Sequence, residues 1–398
     1  MVKWVENSLK NDSAVPNKNM SLMELQVIEK IQKFHESFPH YCVTPLVSLT
    51  KLADELGVGG IHIKDESFRF GLGSFKALGC TFAIASYIAQ RLGKSIWELD
   101  YNTLPEAAKE LGEFTFFAAT DGNHGRAVAW AARELGQKAV IYMNKGCPEV
   151  RLEHILREKA EASISELNYD DTIRYVRELA AKTPNSEIIQ DTAWEGYEDI
   201  PGWIMQGYAV MALEACRQLD EKNVKPTHLI IQAGVGAFAG SAQALITNYY
   251  GNEAPVSFVV EPHVADCFHR SVKRGDGEPE NVTGDMQTIM AGLACGEPGR
   301  AAWDILKNNS NFFVTIDDEH AAKAMKALGR PKNKDPKVIS GESGASGMGF
   351  LLELLTNDDL ADLRKKANIS KDSQFLLFST EGDTDPGNYQ KIVFKDEL

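Results

Sequence analysis

From about residue 114, short apolar segments alternate with longer amphipathic segments, and this alternation constrains the fold more than any other feature. The apolar segments read FTFFAA, AVIYM, ASISEL and EIIQ, and the amphipathic segments between them read GRAVAWAAREL, EVRLEHILREKA and DDTIRYVRELAAK. Buried strands that alternate with helices are typical of parallel βαβ units. The sequence therefore predicts an α/β fold with a parallel sheet in this region.

A second series of the same kind follows after residue 200. It runs from a helix-like segment at 204–219 and the strand-like HLIIQ to a last strand, FLLFS, at 375–379. Internal repeats, low-complexity segments and obvious linkers are absent from the sequence, which favours two interleaved units over two domains in tandem. We predict a large domain of residues 1–111 and 196–398 and a small α/β domain of residues 112–195. Each is expected to contain an open twisted sheet flanked by helices.

Four elements are predicted before residue 114. Ser21 and Glu24 have the spacing of a capping box, which predicts a helix that continues to about residue 38. A helix at 49–56 ends at a glycine, and the segment IHIK at 61–64 is predicted to be a strand. A further helix is predicted from Lys76 to about residue 92, with the Ser74 side chain able to cap it.

Composition excludes several classes of partner. The chain has 398 residues and a formal net charge of −14, and its basic residues are scattered. Nucleic acid and acidic membranes are therefore poor candidate partners, and no run approaches the roughly 20 apolar residues of a spanning helix. The N-terminus lacks the apolar core of a signal peptide, so we expect a cytoplasmic protein. The final KDEL at 395–398 matches an ER-retention signal, and we expect this match to be coincidental.

The six cysteines include no CxxC pair, so neither a metal site nor a disulfide framework is predicted. Their low density suits the reducing cytosol. Cys267 and Cys295 lie in segments predicted to be loops, and the sequence does not decide whether these two thiols ever pair.

Lys76 lies in the run FGLGSFKALG and is the only charged residue between Arg69 and Arg91. The turn at 73–75 leads into a helix, so Lys76 falls in the first helical turn, near the positive end of the helix dipole. The dipole and burial both favour a neutral amine. A neutral lysine amine can form a Schiff base with an aldehyde, whereas a solvated surface lysine is the alternative interpretation.

Two glycine-containing turns each connect a strand to the next helix. The first, TDGNHG at 120–125, carries Asn123, whose amide can donate to a phenolate oxygen. The second, QAGVGAFAG at 232–240, places four residues at a helix start where backbone N–H groups bind phosphate: Gly234, Val235, Gly236 and Ala237. Its spacing is neither GxGxxG nor GxxxxGK[ST], so a monophosphate cofactor fits better than NAD. A nucleotide-binding oxidoreductase and a purely structural turn are the alternatives.

A motif with two hydroxyl groups, STEGD at 379–383, lies at the end of the last strand, and a glycine-rich turn, GESGASG at 341–347, precedes a helix. Either could be an ordinary connection. Together, the motifs supply a Schiff-base lysine, an asparagine turn, a phosphate loop and a hydroxyl that can face a ring nitrogen. These are the groups that pyridoxal 5′-phosphate (PLP) requires, so the sequence predicts PLP as the cofactor.

The order of these motifs resembles that of the fold-type II PLP enzymes, the group of the tryptophan synthase β-subunit and threonine dehydratase. The resemblance covers nearly the whole chain, from TPL at 44–46 and KDE at 64–66 to EP at 261–262 and the strand that ends at Ser379. Within that group, the sequence most closely resembles the diaminopropionate ammonia-lyase family. The segments that carry this resemblance are KDES, TDGNHGR, QDTAWEGY, QAGVGA, MAGLACGEP, ISGESGA and STEGDTD.

The resemblance implies a homodimer and a role for each motif. Lys76 forms the Schiff base with the cofactor, Asn123 contacts the cofactor's 3-oxygen, and the loop at 234–237 holds its phosphate. Ser379 occupies the position expected opposite the pyridine nitrogen, and the adjacent Thr380 is the alternative. A hydroxyl group at that position leaves the nitrogen largely unprotonated, which favours elimination over transamination.

Two acidic residues indicate the substrate. Asp121 stands where dehydratases of the group usually have serine, and Asp191 begins the segment DTAWEGY; both follow strands and can meet in one crevice. A carboxylate can remove a Cα proton on the face opposite Lys76 or attract a cationic group. We expect α,β-elimination of D- and L-2,3-diaminopropionate to pyruvate and two ammonia, with Lys76 as the base for the L-isomer and Asp121 for the D-isomer. A serine or threonine dehydratase is the alternative function, and helix capping is the alternative role for Asp191.

Overall fold

The computed structural model describes residues 1–10, 18–332 and 334–395. Residues 396–398 of the KDEL segment lie outside the described residues. Among the described helices, none combines the length and the apolar character that a membrane-spanning segment requires.

Eleven strands within the described ranges form two sheets. The strands are β1 (Lys3–Glu6), β2 (Leu46–Ser48), β3 (Gly60–Asp65), β4 (Thr115–Thr120), β5 (Lys138–Met143), β6 (Glu161–Ile164), β7 (Ser186–Ile188), β8 (His228–Gln232), β9 (Val256–Pro262), β10 (Phe312–Ile316) and β11 (Gln374–Ser379). The seven-stranded sheet has the order β1-β10-β9-β8-β11-β3-β2, and the four-stranded sheet has the order β6-β5-β4-β7. All strands of the smaller sheet fall within residues 112–195, and all strands of the larger sheet fall outside that range.

Helices cover both sheets. They are α1 (Lys18–Ser21), α2 (Leu25–Glu36), α3 (Thr50–Leu56), α4 (Lys76–Leu92), α5 (Leu104–Leu111), α6 (Asn123–Glu134), α7 (Glu149–Arg157), α8 (Tyr169–Lys182), α9 (Asp199–Glu221), α10 (Ala237–Tyr250), α11 (Cys267–Arg274), α12 (Arg300–Asn309), α13 (Asp318–Gly329), α14 (Glu342–Thr356), α15 (Ala361–Lys366) and α16 (Pro386–Phe394). The prediction of an α/β fold with two sheets flanked by helices is confirmed.

Most strand pairs are parallel, as the alternating pattern predicts. The pairs β4–β5, β8–β9 and β3–β11 are all parallel. The strands β3, β4, β8, β9 and β11 are almost entirely buried, whereas β5 is partly exposed. Two edge strands, β1 and β2, pair antiparallel with β10 and β3. The sequence does not predict either edge strand, because each has only three or four residues, too few to show a period of two, and lies outside the alternating series.

Three local predictions are wrong. Helix α2 begins after Glu24, while Ser21 belongs to α1 and its Oγ donates to the Lys18 carbonyl instead of capping α2. Ser74 does not cap α4; its backbone bridges to Glu381 just beyond the end of β11, and Phe75 occupies the N-cap position without a side-chain cap. Cys267 is the first residue of α11 instead of a loop residue, and its thiol is free and buried, as is that of Cys295. By contrast, α3 ends at a left-handed glycine as predicted.

A buried group of charges fixes α9 against β3 and the segment that follows it. Glu214 on α9 accepts hydrogen bonds from Arg69 Nη2 at 2.7 Å and forms an ion pair with Lys64 Nζ at 2.6 Å. Glu66 pairs with Arg69 Nε at 2.8 Å, and all four side chains are fully buried. Burial alone would raise the pKa of Glu214, but Arg69 and Lys64 lower that pKa to about 2.

We expect Glu214→Gln to destabilise the protein by about 3 kcal/mol at neutral pH, because it leaves two buried cations facing a single carboxylate. A carboxyl group with a depressed folded-state pKa stabilises the protein above its unfolded-state pKa, and this stabilisation is lost as pH falls through the folded-state value. The difference in free energy of unfolding between the wild-type protein and the variant should therefore be constant above about pH 5 and become smaller below about pH 4. Urea unfolding of both proteins across this range measures it.

The matched control is Glu253→Gln, which removes a carboxylate from an exposed pair with Lys225. This control should change the free energy of unfolding by less than about 1 kcal/mol. A Glu214→Gln deficit that is as large at pH 3 as at pH 7 would mean that lost packing, and not lost charge, causes it.

Candidate active site

A cleft lies where loops of both sheets meet. The loops that follow β4 and β7 come from the smaller sheet, and those that follow β8 and β11 come from the larger sheet. The residues with a predicted role that line this cleft are Lys76, Asp121, Asn123, Asp191, Gly234, Val235, Gly236, Ala237 and Thr380. Further lining residues to which the sequence analysis assigns no role include His124, Tyr169, Gln232, Cys295, Ser343 and Glu381.

Lys76 is the first residue of α4, and its amine forms an ion pair with Asp191. Nζ donates to Asp191 Oδ2 at 2.6 Å, and the lysine side chain is 18% exposed whereas the aspartate side chain is 2% exposed. Burial alone would lower the pKa of Lys76, but the charge and hydrogen bond of Asp191 outweigh burial and raise it. In this arrangement Asp191 favours the charged amine, an effect that the run FGLGSFKALG does not reveal because Asp191 lies on a distant loop.

Asp191 is held in a charged and polar environment. Besides Lys76, Tyr208 OH lies 3.4 Å from Oδ2, and His124 Nδ1 lies 4.0 Å from it. Burial alone would raise the pKa of Asp191, but Lys76 and His124 lower it to about 2, so the carboxyl is ionised at neutral pH. Its other oxygen, Oδ1, is buried without a hydrogen-bond partner in the described part of the chain. Asp191 therefore offers the cleft an acceptor in addition to the one that Lys76 occupies.

The Asn123 amide is oriented by a carboxylate from the larger sheet. Asn123 begins α6 directly after the turn that follows β4, and its Nδ2 donates to Glu381 Oε2 at 2.5 Å. Glu381 Oε1 in turn accepts the Ser343 backbone N–H at 3.0 Å. Because Glu381 takes one of the two Nδ2 protons, the other is free to point into the cleft.

The loop between β8 and α10 has the shape of a phosphate site. Gly236 has φ +91°, and a Cβ built on it would lie 2.4 Å from Phe268 Cζ, so only glycine fits this position. The Gly299 N–H donates to the Val235 carbonyl at 2.8 Å, which holds the loop in place. The first N–H groups of α10, which begins at Ala237, have no intrahelical acceptor and are available to an anion.

The two hydroxyl groups at the end of β11, those of Ser379 and Thr380, differ in direction. Ser379 is 1% exposed, and its Oγ donates to Ser340 Oγ at 2.8 Å. Thr380 lines the cleft, and its Oγ1 accepts from Gln232 Nε2 at 3.1 Å, which leaves the hydroxyl proton free for a ligand. The Thr380 carbonyl also accepts the Phe75 N–H at 3.2 Å, so this loop lies directly beside the start of α4.

Comparisons with known proteins agree with this geometry. The profile of the family described as pyridoxal-phosphate dependent enzyme matches residues 38–369. The chain is 48% identical to the diaminopropionate ammonia-lyase of Salmonella typhimurium over 379 residues, which are 94% of each chain. It is 46% identical to that of Escherichia coli strain K12 over 364 residues, covering 92% of this chain and 90% of the relative.

The chain belongs to the diaminopropionate ammonia-lyase family of pyridoxal-phosphate-dependent enzymes.

Solved structures of diaminopropionate ammonia-lyases have the same fold. The holo enzyme of Escherichia coli superposes with a TM-score of 0.92 at 43% identity, covering 100% of this chain and 97% of that chain. The same enzyme has been solved in complex with an aminoacrylate-PLP azomethine reaction intermediate, with a TM-score of 0.90 at 41% identity and coverage of 100% of this chain and 98% of that chain. The threonine deaminase of Solanum lycopersicum, at 18% identity and a TM-score of 0.72, shares the fold.

The groups in the cleft fit the cofactor of the diaminopropionate ammonia-lyase family. A lysine amine, a glycine loop at a helix start and a hydroxyl donor match the aldehyde, the phosphate and the ring nitrogen of PLP. Gln232 Oε1 is buried without a partner among the described residues, as is Asp191 Oδ1, so the cleft holds acceptors that the chain itself does not satisfy. Unsatisfied buried acceptors of this kind are expected where a ligand binds.

Two features of this site are not predicted by the sequence. Glu381 lies in the motif STEGD, but its link to Asn123 joins residues 258 positions apart. Arg151 belongs to the amphipathic segment EVRLEHILR of α7, where a charged residue usually faces solvent, and yet its guanidinium is buried beside Asp121. No local signal distinguishes either residue, because both contacts depend on how the two sheets are placed.

Proposed function

We propose that this protein is a carbon–nitrogen lyase that uses PLP to convert D- and L-2,3-diaminopropionate and water into pyruvate and two ammonia. The observation that carries the proposal is the pairing of Asp191 with the Lys76 ammonium inside a cleft that also contains Asp121. A site that already stabilises an ammonium beside a buried carboxylate suits a substrate that carries an additional ammonium group on Cβ.

The residues around the cofactor have distinct roles in this proposal. Lys76 carries the cofactor aldehyde, Asn123 binds its 3-oxygen, and Gly234, Val235, Gly236 and Ala237 hold its phosphate. When bound, PLP withdraws electrons from the substrate's Cα and so makes the Cα proton removable. Glu381 keeps the Asn123 amide turned towards the cleft through the hydrogen bond at 2.5 Å.

Proton transfer is assigned to two groups. Lys76 Nζ removes the Cα proton of the L-isomer, and the Asp121 carboxylate removes that of the D-isomer. Asp191 binds the substrate's Cβ ammonium, which takes the place that the Lys76 ammonium occupies in the structure. Because the substrate's ammonium replaces that of Lys76, the buried Asp191 carboxylate is paired with a cation at every stage. This avoids the desolvation cost of an unpaired buried charge.

The hydroxyl of Thr380, and not that of Ser379, is assigned to the pyridine nitrogen. This assignment departs from the family-based expectation for Ser379, because the Ser379 hydroxyl donates to Ser340. Since Thr380 Oγ1 accepts from Gln232, its own proton is free to donate to the ring nitrogen of bound PLP, which would then stay unprotonated. An unprotonated ring limits charge delocalisation and favours elimination over transamination.

Substituting each hydroxyl separately tests this assignment. We expect Thr380→Val to lower kcat by about tenfold, the size of one lost hydrogen bond, and to shift the absorption spectrum of the bound cofactor. Ser379→Ala, the matched control, should leave the spectrum unchanged. A spectral shift in Ser379→Ala but not in Thr380→Val would assign the ring nitrogen to Ser379 instead.

The experiment that tests the function is an assay of pyruvate and ammonia with the purified enzyme and D- and L-diaminopropionate, serine and threonine. The proposal expects pyruvate from both isomers of diaminopropionate, two ammonia for each pyruvate, and much slower turnover of serine. Faster release of pyruvate from serine, or of the corresponding keto acid from threonine, would make the protein a dehydratase, the alternative function.

A homodimer and a cytoplasmic location are also proposed. The large apolar side chains of Val43 and Phe68 are 49% and 56% exposed. Their segments lie side by side, since Arg69 Nη1 donates to the Cys42 carbonyl at 2.9 Å. Exposed apolar surface of this kind suits a subunit contact, which supports the proposed homodimer.

The proposed cytoplasmic location is supported by the cysteines, because six free thiols suit a reducing compartment.

A further inference from the structure

We propose that Arg151 is a positioning residue that holds the Asp121 carboxylate in place for its reaction, so that turnover of the D-isomer depends on Arg151 more than turnover of the L-isomer does. This inference rests on the proposed function, because it concerns the base that the proposal assigns to the D-isomer.

Arg151 binds the Asp121 turn through both side chain and backbone. Its Nη1 donates to Asp121 Oδ2 at 3.1 Å and lies 3.5 Å from the Asp121 carbonyl oxygen. The arginine is 4% exposed and Asp121 is 8% exposed. An ion pair in such a buried position is weakly screened by solvent, so it fixes the carboxylate more firmly than a surface pair does.

The turn itself is shaped around the arginine side chain. Gly122 has φ +147°, and a Cβ built on it would lie 2.9 Å from Arg151 Cδ. The Gly122 N–H also donates to Thr120 Oγ1 at 2.8 Å, and so does the Gly125 N–H at 3.0 Å. The backbone on either side of Asp121 is thus held by Thr120 at the end of β4, and the carboxylate is held by Arg151.

Arg151 also reaches the larger sheet. Its Nη2 lies 3.9 Å from Glu342 Oε2 at the start of α14. Burial alone would lower the pKa of Arg151, but Glu381, Asp121 and Glu342 raise it, so the guanidinium keeps its charge. Its Nε is buried without a hydrogen-bond partner in the described part of the chain. One cation therefore faces acidic groups from both sides of the cleft and sets where Asp121 lies relative to the cofactor.

The two proposed bases, Lys76 and Asp121, differ in their charged partners. Lys76 is paired with Asp191, and Asp121 is paired with Arg151. Removing the guanidinium leaves the Lys76 contacts intact, while Asp121 loses the cation that orients it. Turnover of the two isomers should therefore respond unequally to a change at position 151.

The kinetic test compares Arg151→Met and Arg151→Lys with the wild-type enzyme on both isomers. We expect Arg151→Met to lower kcat for D-diaminopropionate at least about tenfold more than for the L-isomer, with a changed pH profile for the D-isomer only. Arg151→Lys should recover part of the D-isomer rate, since it keeps the charge but not the planar fork. Arg133→Met, the control, removes a partly exposed arginine of α6 that pairs with Glu158 and should leave both rates unchanged.

An equal loss for both isomers in Arg151→Met and Arg151→Lys would overturn the inference, because a merely structural role affects both reactions alike. A second measurement does not depend on activity. The thermal unfolding temperatures of Arg151→Met, Asp121→Asn and the double variant of the full-length enzyme form a double-mutant cycle. We expect the loss caused by Arg151→Met to be smaller in the Asp121→Asn background; additive losses would overturn the link between the two residues.

Failure of the proposed function gives a different result. A wild-type enzyme that releases pyruvate from neither isomer overturns the proposed function and, with it, the claim about isomers. If the wild-type enzyme is active and Arg151→Met lowers the two isomer rates unequally, the proposed function has not failed. The double-mutant cycle of unfolding temperatures tests the contact between Arg151 and Asp121 whether or not the enzyme is active.

Discussion

Replacing Lys76 with alanine is expected to lower pyruvate release from both isomers by about 10³-fold or more, the largest effect of any single substitution in this site. The amine carries the cofactor aldehyde and removes the Cα proton of the L-isomer in the proposed function. Its loss also leaves the buried Asp191 carboxylate, which Lys76 Nζ contacts at 2.6 Å, without its cation. Initial rates with D- and L-diaminopropionate measure the effect.

Borohydride reduction of the wild-type enzyme gives a second readout for Lys76. The reduced cofactor should be attached to the peptide that contains Lys76, and the alanine variant should carry no label. Lys94→Ala is the control, because Lys94 lies just beyond the end of α4 and pairs with Glu110 at the surface. A variant at position 76 that keeps more than a tenth of the activity, or a label on another lysine, would contradict the role assigned to Lys76.

The loops of the site could be predicted from the sequence because each motif is local. A strand, a glycine turn and a helix follow one another within about ten residues at the Asn123 turn and at the 234–237 loop, and strand periodicity identifies their place. The charge state of Lys76 could not be predicted in the same way. Its partner Asp191 lies 115 residues away, and the pair forms only when the two sheets come together.

The choice between the Ser379 and Thr380 hydroxyl groups depends on the face of the sheet to which each side chain points. Successive side chains of a strand point to opposite faces, so an error of one residue at the end of β11 reverses the expected direction of a hydroxyl group. The register of β11 with β3, which sets Ser379 opposite Asp65, shows that Ser379 is still part of the sheet. Thr380 follows the last paired residue, and its side chain lines the cleft.

The burial of Arg151 could not be predicted from its own segment of the sequence. In the segment EVRLEHILR it has the neighbours of an ordinary surface arginine, and its burial follows from the approach of α14 and the Asp121 turn to α7. A buried charge is stable only beside opposite charges, and these lie on the Asp121 turn, at the start of α14 and on the loop after β11. Pairing across loops is decided by tertiary structure, which the pattern of a single helix does not contain.

Replacing Asp121 with asparagine is expected to lower turnover of D-diaminopropionate by about 10²-fold or more and to affect the L-isomer much less. Asparagine has nearly the same shape but cannot accept the Cα proton as a carboxylate does. Arg151 Nη1, which contacts Asp121 Oδ2 at 3.1 Å, can still donate to the amide oxygen, so the turn should keep its position. Initial rates with each isomer, together with exchange of the Cα proton with solvent deuterium, measure the effect.

The other carboxylate of the site provides the matched control. Asp191→Asn removes the same charge, but from the residue that is proposed to bind the Cβ ammonium of both isomers, so it should slow both to a similar extent. The ratio of D- to L-isomer turnover should then fall in Asp121→Asn but not in Asp191→Asn. If Asp121→Asn slows turnover of the two isomers equally, the two-base hypothesis is wrong, and Lys76 alone must remove the Cα proton from either face. The ratio of D- to L-isomer turnover therefore distinguishes a site with two bases from a site with one.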